Sequence, residues 1–184
     1  PAVMTSIHTR SSQKLIELVD QRQLDFALGL TRSDDPNVTC RKLFDTELVA
    51  ALPKTHPLCK KDKLQARDFH QIEFVNASML DRSREKIEEF FKTGKAQPIE
   101  RGEASLSVTR LRLAERGIGL TLVDNLAAND YKDNLLEFKP LEPAVRMTVW
   151  LMRPKMLTKS RLVETFEQIL IKHAKLDFSS NLRH

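Results

Sequence analysis

Short β-rich runs alternate with amphipathic helical runs along this chain. That alternation constrains the fold more than any other feature, because it argues for α/β units with parallel strands. Val3, Thr5 and Ile7 alternate as a strand, and Ser11 or Ser12 can cap a helix that puts Leu15, Leu18 and Val19 on one face. Leu24 to Leu30 reads as a compact strand, Thr31 to Asn37 as a polar loop, and Arg41 to Phe44 as a run leading into Leu48–Leu52, which Pro53 ends. After a turn-rich stretch, Leu64–Phe69 reads as a short helix and Ile72–Val75 as a strand. Ser83 can cap a helix with Ile87, Phe90 and Phe91 facing inward and Gly94 as its stop. Ser105 or Ser107 starts a helix that ends at Gly117, and Ile118–Val123 is a buried strand. Leu126–Tyr131 is a short helix, and Leu135–Phe138 and Met147–Leu151 are strands. Leu162, Val163, Phe166, Ile169 and Leu170 mark a long amphipathic helix, followed from Asp177 by a tail without periodicity.

Composition excludes several classes. Hydrophobic residues at 41% and charged residues at 30% suit a folded core with a solvated surface. No apolar run reaches the roughly 18 residues of a membrane span, and the start PAVMTSIHTR has no secretory pattern. Cys40 and Cys59 have neither metal spacing nor a disulfide-scaffold context, which fits a reduced, cytoplasmic chain. The net charge is +5, but basic residues interleave with acidic ones, and the densest basic stretch, Lys54–Lys63, reads as a solvated loop. Motifs for catalysis are missing: no G-x-S-x-G, H-E-x-x-H, P-loop or dinucleotide fingerprint occurs. His8, Ser12 and Asp25 do not make a convincing triad, and His56 beside Pro57 reads as a turn residue. The chain is read as a non-enzyme without cofactor or metal.

Four phrases in order resemble the LysR-type transcriptional regulators. Ser11-Ser12 through Leu24-Asp25-Phe26-Ala27-Leu28-Gly29 is the first, and Asp35-Pro36, Leu43-Phe44, Leu48–Leu52, Pro53 and His56-Pro57-Leu58 form the second. The third is Arg112-Leu113-Ala114-Glu115-Arg116-Gly117-Ile118-Gly119-Leu120-Thr121-Leu122-Val123, and the fourth is the strand ending at Arg153-Pro154 before a terminal helix. The resemblance covers about residues 3 to 173 and is closest to members answering to amino acids and opines. Arg22 and Asn125 depart from it, standing where the family often has Gly and Pro. A left-handed Arg22 would be strained, which leaves room for a different turn.

The resemblance implies an α/β fold of two Rossmann-like lobes joined by two crossover strands, periplasmic-binding-protein-like (type 2). Residues 1–50 plus 150–184 would form lobe I and residues 51–149 lobe II. A full regulator of this type would carry a winged helix-turn-helix, a linker helix, and one more strand and helix before Val3. On that comparison lobe I is incomplete, and DNA would be met only through the winged helix-turn-helix, absent from this chain. The implied role is an effector-binding and oligomerisation module, homodimeric or homotetrameric, sensing a small polar, carboxylate-bearing metabolite. Helices Ser12–Arg22 and Ser83–Thr93 are the candidates for subunit contact, with Leu15, Leu18, Ile87 and Phe90 offering apolar surface. A free-standing solute-binding protein of a transport system is the alternative, and a small α/β enzyme is the rival from another class. Ligands of α/β lobes meet strand carboxyl ends and helix starts, where free N–H groups favour anions. Three hydroxyl-rich junctions qualify: Arg10, Ser11 and Ser12; Asn76 and Ser78; Ser105 and Ser107. Plain helix capping explains each one singly; Arg10 could also pair a carboxylate in bidentate fashion.

Overall fold

A computed structural model describes residues 3–79, 81–155 and 160–178. The first helix, α1 (Ser12–Asp20), buries Leu15 and Val19, one turn apart on its inner face. It closes with Arg22 at φ 59, whose N–H donates to the Val19 carbonyl while Gln23 N–H donates to Leu18. The helix-terminating turn is therefore kept with arginine in the left-handed position. It also uses up residues 23–25, so the strand expected over Leu24–Leu30 shrinks to β1 (Ala27–Gly29).

The strand β2 (Val38–Pro53) is one unbroken run rather than two, irregular between Lys42 and Phe44. Its 16 residues reach roughly 50 Å. Residues 38–47 pair with β7 (Arg146–Pro154), whose other edge takes β1. Residues 48–53 lie between β5 (Thr121–Asp124) and β6 (Leu136–Pro140). All these ladders are antiparallel, which corrects the expectation of mainly parallel strands. Parallel pairing is kept where a helix crosses over: β3 (Glu73–Ala77), α2 (Arg82–Thr93) and β4 (Ile99–Ala104) form such a unit. The next crossover is α3 (Ser107–Glu115), which returns the chain beside β3 through the bridge Phe74–Leu120. There a Cβ on Gly119 would lie 2.7–2.9 Å from backbone atoms of Glu73 and Phe74, so only glycine permits the approach. Two more helices complete the fold, α4 (Asn125–Asp130) and α5 (Arg161–Phe178).

Among the described residues the core falls into three clusters. Leu15, Val19, Ala27, Val38 and Met152 pack under α1. Leu52, Leu64, Phe69, Phe74, Ile87, Phe90, Phe91 and Leu122 fill the space under α2. Ala51, Leu111, Ala114, Val123 and Leu136 pack under α3. Leu15, Ile87 and Phe90 are thus largely enclosed in the core, which leaves Leu18, half-buried, as the one of the four expected contact residues with much apolar surface open.

The strand expected at Val3–Ile7 does not form. No ladder among the described residues includes it, and Val3 and Ile7 are 50% and 87% exposed. Alternation without a neighbouring strand leaves amides to water and gains no burial. The expected tail lies, past residue 178, outside the described residues.

Candidate functional site

The ends of β3 and β4 and the starts of α2, α3 and α4 meet in one polar cluster. The parallel register Ala77–Ala104 puts Ser78 beside Ser105, with hydroxyl oxygens 3.2 Å apart. Ser78 is buried and Ser105 exposed. Ser107 is the first residue of α3, not its cap. Its hydroxyl donates to Asp124 at 3.0 Å, and Asp124 caps α4 by accepting the Ala127 N–H. Nor is Ser83 a cap: Asp81 caps α2 and accepts both the N–H and the hydroxyl of Ser83. Aspartate wins both caps because it sits one position outside the helix with an ionised acceptor.

At the centre lies Arg110, which the sequence reading missed. It is 1% exposed, and its guanidinium donates to Asp81 at 3.1 Å, the Ala104 carbonyl at 3.0 Å and Ser107 at 3.2 Å, while its Nε is buried without a partner. This one side chain ties the start of α2, the end of β4 and the first turn of α3. A charged residue in the second position of the T-R-L-R run Thr109–Arg112 reads as surface, and no local signal marks it: Asp81 is 29 residues away.

The start of α3 differs from those of α1, α2 and α4. Ser11, Asp81 and Asp124 each make a side-chain cap bond, whereas the cap of α3 is Leu106 and makes none. The first N–H groups of α3 are left for an outside acceptor such as a carboxylate.

Asn76 is buried with both ends of its amide in use. Its nitrogen donates to Glu100 at 3.0 Å and its oxygen accepts the Ala77 N–H at 2.9 Å. Arg84 holds the same Glu100 at 3.1 Å. Among the described residues Asn76 therefore braces β3 against β4.

The other three predicted residues stand on the α1 side. Ser11 caps α1 by accepting the Lys14 N–H, Ser12 is half-buried, and Arg10 is exposed with its guanidinium turned back to the Thr9 carbonyl at 2.8 Å. A Cβ on Gly29 would come within 3.4 Å of the Ser12 hydroxyl, so Ser12 abuts the end of β1. No hydrogen bond among the described residues joins Arg10, Ser11 or Ser12 to Ser78, Ser105 or Ser107. Their neighbourhoods are linked two residues beyond Gly29, where Thr31 accepts from Arg82 Nε at 3.2 Å. Leu30 packs there against the cluster under α2.

A separate concavity of about 660 Å³ contains none of the seven predicted residues. Ala66, Phe90, Pro143 and Val145 line it, with Arg67, Lys86, Glu89 and Arg146 around them. No group of His, Cys, Asp or Glu among the described residues could hold a metal ion, and no helix there is long and apolar enough to cross a membrane.

Comparison with known proteins agrees with this architecture. The regulatory domain of Synechocystis PCC6803 CcmR, solved in complex with 2-PG, superposes with a TM-score of 0.79 at 14% identity, over 91% of this chain and 81% of that one. The effector-binding domain of QuiR in complex with shikimate gives 0.76 at 19% identity, over 92% and 80%. These likenesses show the periplasmic-binding-protein-like fold. Among curated proteins, the transcriptional activator LysR of Escherichia coli K12 is 26% identical over 166 residues, 90% of this chain and 53% of the relative. The regulatory protein NocR of Agrobacterium tumefaciens T37 is 25% identical over 171 residues, 93% of this chain and 57% of the relative. The chain thus spans about half the length of the curated relatives it matches. The LysR substrate binding domain matches residues 1–175, nearly the whole length, and with the same fold in solved effector-binding domains the chain belongs to that family.

Proposed function

We propose that this domain senses a small carboxylate-bearing metabolite, an amino acid or a derivative of one, for a LysR-type DNA-binding regulator in the cytoplasm. Residues 1–50 and 150–184 act as one lobe, residues 51–149 as the other, and the long strands β2 and β7 pass between them. The ligand lies in the cleft between α1 and the starts of α2 and α3. The observation that carries this reading is the uncapped start of α3 beside the paired hydroxyls of Ser78 and Ser105. The carboxylate takes the N–H groups of α3 and a hydroxyl proton of that pair, while Ser12 and Arg10 approach from the α1 side. Ser107 gives its proton to Asp124 and serves by holding the helix start in place. Ligand occupancy changes the relative placement of the lobes or of subunits in a homodimer or homotetramer, and with it the grip of attached winged helix-turn-helix domains on DNA. The regulator names of the curated relatives favour this over a transport protein or an enzyme.

A thermal-shift screen of amino acids and their derivatives finds the ligand. Calorimetric titration of Ser12→Ala and Ser105→Ala then tests the site. Each is expected to weaken binding about 10- to 100-fold, since a hydroxyl bond to a carboxylate is worth about 1.5–3 kcal/mol. Unchanged affinity in both, and in Ser78→Ala, contradicts the site.

A further inference from the structure

We propose that the concavity beside the second half of α2 is a separate binding site for an apolar monoanion, a hydrocarbon body bearing one acid group. The polar cluster uses the start of α2 at Asp81 and Ser83, whereas the concavity is lined by that helix from Lys86 to Gly94. Its volume of about 660 Å³ falls within the roughly 300–1,000 Å³ of small-molecule sites.

Three elements wall it, and each is fixed to the next. A Cβ on Gly94 would lie 2.3 Å from that of Ala66, so the end of α2 and the short helical turn Ala66–Phe69 are in direct contact. The loop before β7 is tied to the same turn: Glu142 N–H donates to the Leu64 carbonyl at 2.8 Å, and the Gln65 amide donates to the Glu142 carboxylate at 3.1 Å. Further along that loop the Val145 carbonyl accepts the Leu48 N–H at 2.9 Å, at the point where β2 passes from β7 to β5. Ala66, Phe90 and Val145 line the concavity and also belong to, or pack against, the core under α2. Apolar surface on a fixed frame, with a few charged groups around it, is the pattern of a preformed ligand site.

The charges around this surface leave one cation over. Lys86 is paired with Glu89 at 2.9 Å and Arg146 with Glu47 at 3.1 Å. Glu142 is held by Gln65, with Lys63 at 3.9 Å. Among the described residues Arg67 makes no side-chain hydrogen bond or ion pair. The carboxylate of Asp68 beside it accepts instead from Lys61 at 2.6 Å and from the Gln65 N–H at 2.9 Å. The concavity thus offers apolar surface and one uncommitted guanidinium, whose planar fork suits a carboxylate. An amino-acid zwitterion finds no uncommitted carboxylate there for its ammonium, which sets this ligand apart from the one proposed for Ser78 and Ser105.

Titration of 2-naphthoate into the protein, followed by amide chemical shifts, tests this directly. Saturable shifts are expected at Ala66, Arg67, Phe90, Gly94 and Val145. The uncharged 2-naphthamide should bind about three- to tenfold more weakly, the worth of an exposed charge-assisted contact. Arg67→Gln should remove that difference. Thr93→Trp, which fills the concavity from an exposed position, should abolish binding of both compounds, and neither substitution should change the melting temperature. Arg67→Lys, which keeps the charge without the fork, should retain part of the preference for the acid. The site is overturned by the absence of saturable shifts at those residues, by shifts centred on Ser78 and Ser105 instead, or by an acid preference that survives Arg67→Gln. A dimer in sedimentation that Thr93→Trp dissociates overturns it too, because the concavity is then a contact between two copies of the chain.

Discussion

Arg22 shows how a single residue can carry a cost inside a well-formed turn. Its φ of 59 is the left-handed conformation, which costs a side chain-bearing residue about 1–2 kcal/mol. Glycine avoids that cost but loses about 0.5–1 kcal/mol more entropy on folding. Arg22→Gly is therefore expected to raise stability by up to about 1 kcal/mol, a rise of about 2–4 °C in a thermal melt. A lower melting temperature would show that the Arg22 side chain is needed. Arg110 is the opposite case, a charge whose partners justify its burial. Arg110→Met removes three hydrogen bonds and leaves the Ala104 carbonyl short of one, at a cost of about 1–3 kcal/mol. Arg110→Lys should not restore stability, because one ammonium cannot reproduce the planar fork that reaches all three acceptors. Equal melting temperatures for Lys and wild type would contradict that role. Neither residue was legible beforehand in its true setting. Arg22 was visible only as a departure from glycine, and Arg110 depends on Asp81, which folding alone brings near.

Among the elements, legibility followed the strength of local pattern. α1, α2 and α5 announced themselves by apolar spacing, and Leu15, Val19, Ile87, Phe90 and Phe91 are buried as that spacing requires. β4 was missed because Ile99–Ala104 reads IERGEA, almost wholly polar, and its pairing with β3 uses backbone groups that the sequence does not display. The serine-rich junctions were found, but Asp81 rather than Ser83 caps α2, and Ser107 is the first residue of α3 rather than its cap. The short helical turn Pro57–Lys60 offers a pH test. His56 caps it by accepting the Leu58 N–H on Nδ1, and burial holds its pKa below the usual 6.5. Folding thus favours neutral His56, so its contribution is complete above about 6.5 and is lost as pH falls through the lowered folded value. Melting temperature should drop between pH 7.5 and 5, and His56→Asn, which keeps an acceptor at the cap, should reduce that drop. An identical pH dependence in wild type and His56→Asn contradicts the assignment.

For the whole molecule, β2 and β7 matter most. β2 leaves the pairing with β7 and continues between β5 and β6, so one strand belongs to both ends of the domain. In the two-lobe reading proposed above, the two ends shift against each other about these strands; Arg82 donates to Thr31 beside the start of α2. The phrase Leu48–Leu52-Pro53 and the strand ending at Arg153-Pro154 made this crossover visible in sequence, whereas the contact of Arg82 with Thr31 was not. Whether ligand is held between these ends is decided by amide shift mapping with the strongest hit of the amino-acid screen. Ser12, Gly29 and Thr31 are expected to move together with Ser78, Ser105, Ser107 and Val108. Shifts confined to one of those two groups, or centred on the concavity at Phe90 and Val145, would contradict that placement.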